Sequence, residues 1–322
     1  MRIPEPFLQA LADGQRFLLC LHTNPDGDTL GSALALGMAL ESLGKQVTWV
    51  SPTPPGESYI FLPGVGQVRT PAQLAESAFD TAVAVDVSDH SLMAGALPLF
   101  QGAPVRLVVD HHPTNPGYGQ INWIEPGAAA TGMLVQALLA RLGVPLIPAM
   151  ATCLYVAIST DTGHFQFGNA DGEALRAAAA LVDAGVDVAR VTRLLYRIQT
   201  RAKLRLLTCA LNTLVFDATG RVAGIALSRG DFEQSGASQS DTEGIVQYAI
   251  QTQGVEAAFL ARETEEGIKF SLRALAPYNV AVLAQCYGGG GHAQAAGCTL
   301  QAPLDQACAQ MMRTLHDMLD RG

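Results

Sequence analysis

The chain has 322 residues, 49% hydrophobic and 15% charged, enough apolar material for two domain cores and too ordered a composition for a disordered chain. Its net charge of −9 argues against a sequence-tolerant binder of long nucleic acid. No signal-like segment opens it, no apolar run suits a membrane span, and its six cysteines form no CxxC pair or zinc-spaced set, so a reduced, cytoplasmic protein is expected.

In chain order, apolar runs alternate with helical patterns through the first half, which predicts an α/β fold with a doubly wound, mostly parallel sheet. Strands are expected over 17–22, 47–51, 81–87 and 105–110, and helices over 29–43, 72–78, 128–142, 148–160, 172–184 and 188–207. Gly44, Gly143 and Gly185 stand where helix C-termini need a left-handed residue. From about residue 213 the texture changes. A hairpin is expected over 214–228, a helix over 241–253, a second hairpin over 256–273, and helices over 279–287 and 304–319. This predicts a larger domain over 1–187, a linker helix over 188–212 and a smaller mixed-sheet α/β domain over 213–322.

Three expected strands end in carboxylate or imidazole. The first runs into His22-Thr-Asn-Pro-Asp26-Gly-Asp28, the third carries Asp86, and the fourth ends in Asp110-His111-His112. In an open α/β sheet the carboxyl ends of the strands line the ligand crevice, so these groups should converge. Asp161 ends an apolar helix that has no other need of a carboxylate. Taken singly, Asp26 reads as a turn former, Asp28 as an N-cap and His111 as a strand-end histidine. Taken together, carboxylate and imidazole without thiolate favour Mn²⁺ or Mg²⁺. Two such ions would clamp the attacking and leaving oxygens of a phosphoryl displacement. If four aspartates hold two divalent cations, the remaining charge tolerates a short anionic substrate.

The ordered set His22-Thr-Asn-Pro-Asp26-Gly-Asp28-Thr-Leu-Gly31-Ser32, Asp86, Asp110-His111-His112 and Asp161 resembles the four motifs of the DHH phosphoesterases. Gly288-Gly289-Gly290-Gly291-His292, with Ala-Gln-Ala-Ala-Gly297 after it, is similar to the C-terminal motif of the DHHA1 subgroup. The resemblance spans nearly the whole chain and is strongest to the nanoRNase/pAp-phosphatase type and its relatives that cleave cyclic dinucleotides.

That resemblance implies one metal held by His22, Asp26 and Asp86, and a second by Asp28, Asp86, His111 and Asp161, with Asp86 bridging. It implies two Mn²⁺, with Mg²⁺ the alternative, and a bridging hydroxide as nucleophile. Asp110 would orient the His111 ring, and His112 would face the scissile phosphate. The glycine run would be a loop that grips the substrate together with His292, and Arg273 would bind phosphate; Ala274 stands where the family has serine. Short oligoribonucleotides or pAp are the implied substrates, with c-di-AMP the alternative and a silent nucleotide sensor the reading of another class. Neither long duplex nucleic acid nor a membrane is an expected partner, and a homodimer is left open. A soluble inorganic pyrophosphatase would share the N-terminal chemistry but lack the His292 segment. His90, His164 and His316 are expected to be surface or helix-capping residues. Arg190, Arg193, Arg197, Arg201 and Arg205 fall at helical spacing, as a solvated face or a stripe that steers phosphates.

Overall fold

Continuous runs such as Arg16-Phe-Leu-Leu-Cys20 and Thr81-Ala-Val-Ala-Val85 are apolar on both faces, which a strand tolerates only where both faces are covered. The computed structural model describes residues 2–74, 78–197 and 199–321, apart from the side chains of Arg197 and His292. The chain divides into two units, Met1–Ile198 and Gln199–Gly322.

In the first unit, α1 (Glu5–Asp13) leads into β1 (Arg16–Cys20), α2 (Gly27–Ser42) and β2 (Gln46–Val50). There follow β3 (Thr81–Val85), α3 (Leu97–Gly102), β4 (Val105–Asp110) and β5 (Ile121–Ile124). Four helices complete the unit: α4 (Thr131–Arg141), α5 (Pro148–Asp161), α6 (Gly172–Asp183) and α7 (Val188–Thr192). The five strands pair in parallel in the order β2-β1-β3-β4-β5. Phe17, Leu19, Val83, Val85, Leu107 and Val109 face the main core with α2, α4 and α5. Leu18, Cys20, Ala82, Ala84 and Val108 face a smaller core closed by Met93, Ala96 and Phe100. The strand order reverses between β1 and β3, so the carboxyl ends of those two strands flank the switch-point crevice of a doubly wound sheet.

Helices α2 and α5 meet at backbone distance. A Cβ on Gly31 would stand 2.2 Å from the carbonyl oxygen of Cys153. Gly31→Ala should therefore destabilise this unit by about 2–3 kcal/mol, a fall of roughly 5–10 °C in thermal midpoint at 2–4 °C per kcal/mol. Differential scanning calorimetry reads it, and an unchanged midpoint would mean the helices can separate freely.

In the second unit α8 (Arg201–Asn212) precedes β6 (Val215–Phe216), β7 (Val222–Leu227), α9 (Arg229–Ser235) and α10 (Ile245–Ile250). β8 (Ala257–Thr264) and β9 (Gly267–Ala274) form a hairpin, followed by α11 (Val280–Cys286), β10 (Gly290–His292), β11 (Ala295–Leu300) and α12 (Leu304–Arg321). The sheet order is β10-β11-β9-β8-β7-β6, antiparallel except for the parallel pair β7–β8. One face carries Phe259, Phe270 and Leu272 under Leu283, Met311 and Leu315. The other carries Ala223, Ile225, Ala258 and Leu260 under α8 and α10.

Several expectations change. The helix expected over 188–207 is broken: α7 passes into a π-helical turn, Arg193–Arg197, and α8 begins afresh behind Thr200, whose side chain accepts from the Lys203 N–H. The five arginines therefore share no continuous helix. The helix expected over 241–253 shrinks to α10 because Gly244 is left-handed, at φ 85°. Of the helix expected over 72–78, residues 75–77 lie outside the described residues, and what precedes them is a single 3-10 turn, Pro71–Gln73. Strand β5 and helices α1 and α3 went unanticipated. The glycine run, expected as a loop, instead feeds the edge strand β10, with Gly290 paired to Gly297 and Gly291 to Ala296. No helix among the described residues is long and apolar enough to cross a membrane.

Candidate metal centre

The segment after β1 delivers three groups. His22 follows the strand, Asp26 caps α2 by accepting the Thr29 N–H at 3.0 Å, and Asp28 lies in the first turn of that helix. Asp28 is fully buried and its carboxylate caps a different helix, α4, taking the N–H groups of Thr131 (2.7 Å) and Gly132 (2.9 Å) besides the Ser32 hydroxyl (2.9 Å). It thus serves as the N-cap that Ala130 cannot be.

Asp86 follows β3 in a left-handed conformation (φ 58°), unusual for a non-glycine residue and typical of functional sites. Its carboxylate, 2% exposed, accepts from the hydroxyls of Thr29 (2.7 Å) and Thr131 (2.9 Å). From the end of β4, His111 Nε2 stands 3.8 Å from both Asp28 and Asp86 and 3.0 Å from Asp161 at the end of α5. The Ala128 carbonyl, 3.0 Å from Nδ1, fixes that ring with Nε2 toward the carboxylates. His22 Nε2 lies 3.9 Å from Asp26.

The expectation that Asp110 orients the His111 ring is corrected. Asp110 meets His111 only at its backbone N–H (2.8 Å), and the ring it holds is that of His112, through Nδ1 at 2.8 Å. Asn115 holds the other carboxylate oxygen at 2.6 Å, and His112 Nδ1 also stands 3.6 Å from Asp86.

Among the described residues, donor atoms within 4.8 Å of one another form three overlapping sets: His22, Asp26 and Asp86; Asp28, His111 and Asp161; Asp86, His111 and His112. Every metal ligand expected from the sequence therefore falls into this one cluster. The carboxylates of the cluster repel one another. Burial, then the neighbouring Asp26 charge, pushes Asp86 up to about 6, and burial with Asp86 and Asp161 pushes Asp28 well above the carboxylate range. Burial alone would lower His111, but its bond to Asp161 and the charges of Asp28 and Asp86 outweigh that and hold it near 10. His112 is raised by its bond to Asp110, against burial. Burial would raise Asp110, yet its bonds from His112 and Asn115 prevail and lower it. No Lys or Arg ion pair reaches these carboxylates among the described residues. Buried, mutually repelling carboxylates around imidazole nitrogens fit a divalent metal centre.

Sequence reading missed four supports: Thr29 and Thr131 on Asp86, Asn115 on Asp110, and Asn169, whose amide holds the Asp161 carbonyl at 3.0 Å. His164 is less peripheral than expected: its Nδ1 stands 3.1 Å from the Ser159 hydroxyl and its ring 4.7 Å from that of Tyr196. His316 lies between Asp217 (2.8 Å) and Asp320 (3.3 Å). The proposed substrate groups lie in the second unit. Gly288 ends α11 at φ 69°, and Gly289 packs so tightly on β11 that a Cβ would stand 2.0 Å from the Gly297 carbonyl oxygen. Gly290, Gly291 and His292 form β10, and Arg273, on β9, pairs with Ala295 of β11.

Comparison with known proteins agrees with this architecture. Residues 16–158 match the DHH family, N-terminal domain, and residues 220–319 match the DHHA1 domain. The chain is 34% identical to the bifunctional oligoribonuclease and PAP phosphatase NrnA of Thermus thermophilus, over all of this chain and 95% of that enzyme. Against the Bacillus subtilis enzyme of the same name it is 24% identical, over 88% of each chain. An exopolyphosphatase-related protein from Bacteroides fragilis shares the fold at TM-score 0.91 and 24% identity, over 97% of this chain and 95% of that one. With full-length identity above the level at which fold and family coincide, and with both domain matches in order, the chain belongs to the DHH family of phosphoesterases and carries its DHHA1 domain.

Proposed function

We propose that this protein hydrolyses short oligoribonucleotides and pAp at the Asp/His cluster, with two Mn²⁺ as cofactors and a cytoplasmic setting. The observation that carries the reading is the set of donors gathered around buried Asp86, in a chain whose full-length relative is named for both activities. His22, Asp26 and Asp86 would hold one ion, and Asp28, Asp86, His111 and Asp161 the other. When bound, such ions supply Lewis-acid activation of water and neutralise charge building at phosphorus.

The protein's own groups set orientation and proton supply. Asp110, itself held by Asn115, fixes His112 through Nδ1 and leaves Nε2 free to face the ester. Because that bond raises the imidazole pKa, His112 can carry a proton to the leaving oxygen as general acid. In the reading's division of labour, residues 1–187 are catalytic, 188–212 link, and 213–322 bind substrate through Arg273, Gly288–Gly291 and His292. Gly288 and Gly289 donate their own N–H groups to the Gln285 and Ala284 carbonyls, so in this reading the glycines serve by keeping side chains out of the phosphate's way, beside the planar fork of Arg273.

A Mn²⁺-supplemented assay of kcat/KM on pAp, pApA, a 5-mer, a 20-mer and c-di-AMP tests the substrate class. The reading expects pAp and the short oligomers to lead. A preference for c-di-AMP would replace it with the cyclic-dinucleotide alternative, and binding without turnover of any of them would make the protein a sensor. The division of labour predicts that His292→Ala lowers kcat/KM for pApA relative to bis-p-nitrophenyl phosphate at least about tenfold, the loss of one charge-assisted contact. An equal loss on both substrates would place His292 in the chemistry or the fold.

A further inference from the structure

Strand β9 places Lys269, Ser271 and Arg273 at alternate positions, so they share one face of the second sheet, about 7 Å apart in succession. Register sets Thr299, Gly297 and Ala295 of β11 opposite them, low side chains that leave the row open. Arg262 of β8, paired with Lys269, leans over the middle of the row. Its guanidinium donates to Thr242 Oγ1 (2.8 Å) and Ser271 Oγ (3.2 Å), and its Nε is buried without a partner.

These cations lack counter-ions. Arg221 of the same unit is paired with Glu256 (2.7 Å) and Asp320 (3.1 Å), and Arg321 with Asp317 (3.9 Å), but among the described residues no ion pair involves Arg262, Lys269 or Arg273. Burial depresses both Arg262 and Arg273, as it would a guanidinium left without its anion. Arg262 and Lys269 line a pocket of about 620 Å³. Arg229, Glu233, Glu263, Glu265 and Glu266 line the same pocket, and the row stops at the hairpin turn that carries the last two.

We propose that Arg262, Ser271 and Lys269 form a second phosphate-binding step beyond Arg273 and so measure substrate length. This rests on the reading that Arg273 takes a substrate phosphate. One strand repeat is comparable with one sugar–phosphate repeat of an extended single strand. Two repeats separate Lys269 from Arg273, about 13 Å, a span that pAp and a dinucleotide do not fill and a three- or four-nucleotide strand does. The glutamates at the tip then repel further phosphates, so added length brings no added binding.

The test compares kcat/KM for pApA with that for oligoadenylates of three, four and eight nucleotides. Wild type should improve up to the tetramer and gain nothing at the octamer. Lys269→Gln and Arg262→Gln should each lower the tetramer-to-pApA ratio about tenfold, the loss of one charge-assisted contact. Each should also reduce the slope of log affinity against log salt for the tetramer by about 0.7. Glu265→Lys with Glu266→Lys should let the octamer overtake the tetramer. Because Arg262 is half-buried on the interior strand β8, the variant at exposed Lys269 decides the outcome if Arg262→Gln unfolds. Fluorescence anisotropy of labelled oligomers on Asp86→Asn protein reads the same ratio without cleavage. A wild type that cleaves nothing therefore overturns the functional reading, while the binding ratio still decides this one. Equal losses at every length, or an unchanged ratio, overturn the length step.

Discussion

Asp86→Asn should lower kcat/KM by at least a thousandfold, about 4 kcal/mol of transition-state stabilisation, and yet make the metal-free protein more stable. The loss follows from position: Asp86 shares one donor set with His22 and Asp26 and another with His111 and His112, and in the proposed arrangement its carboxylate would lie between the two ions. The gain follows from burial. Asp86 is 2% exposed and raised to about 6, so the folded state holds its ionised form at a cost. The shift is upward. Its penalty is therefore absent below the ordinary aspartate value near 4 and complete once pH exceeds about 6. At pH 7.5 it is on the order of 3 kcal/mol. An amide removes the charge and keeps its partners, since both donors to Asp86 are threonine hydroxyls that can rotate. Asp28→Asn is the contrast: two of its donors are backbone N–H groups, which cannot, and an amide there would set N–H against N–H. Calorimetry of the three metal-free proteins at pH 7.5 should rank Asp86→Asn above wild type and Asp28→Asn below. Activity above about a tenth of wild type in Asp86→Asn, a loss under ~1.4 kcal/mol, would remove Asp86 from between the ions.

Exhaustive chelation should abolish activity altogether, and Mn²⁺ should restore it better than Ca²⁺. Asp28, Asp86 and Asp161 crowd His111 at 3.0–3.8 Å, a compact set suited to a small ion, whereas Ca²⁺ takes six to eight oxygens at longer range. Re-addition of Mn²⁺ should also raise the thermal midpoint, because a ligand at a hundred times its Kd stabilises the state that binds it by about 2.7 kcal/mol. Full activity after chelation would sink metal catalysis here, and a midpoint indifferent to Mn²⁺ would move the ions elsewhere.

The sheet that carries the cluster was legible because β1, β3 and β4 each hold an apolar run (Phe17–Cys20, Ala82–Val85 and Leu107–Val109) that leads into charged or imidazole residues, and a parallel sheet gathers such ends. Strand β5 was not, since Asn122 interrupts a four-residue run and its side chain is committed to Gly117 and Gly119 in the preceding turn. Neither was β10: four glycines carry no strand propensity, and pairing there depends on β11 lying close enough that a Cβ on Gly291 would stand 2.5 Å from the Ala295 carbonyl oxygen. The assignment of Asp110 to the wrong histidine was avoidable. In extended chain, residues two apart share a side, which matches Asp110 with His112 and turns His111 away. Thr29 and Thr131 gave no such hint, because a hydroxyl that holds a buried carboxylate from 57 or 45 positions away leaves no local pattern.

The double duty of Asp28 shapes how this protein could lose its chemistry over generations. His22 and Asp161 offer their side chains to the cluster with little structural obligation, whereas the Asp28 carboxylate closes the first turn of α4 inside the core. A lineage released from selection for hydrolysis would erase His22 and Asp161 early and retain Asp28 long afterwards. Descendants that only bind nucleotides would then still carry that aspartate, a relic preserved by the demands of a helix rather than of a reaction.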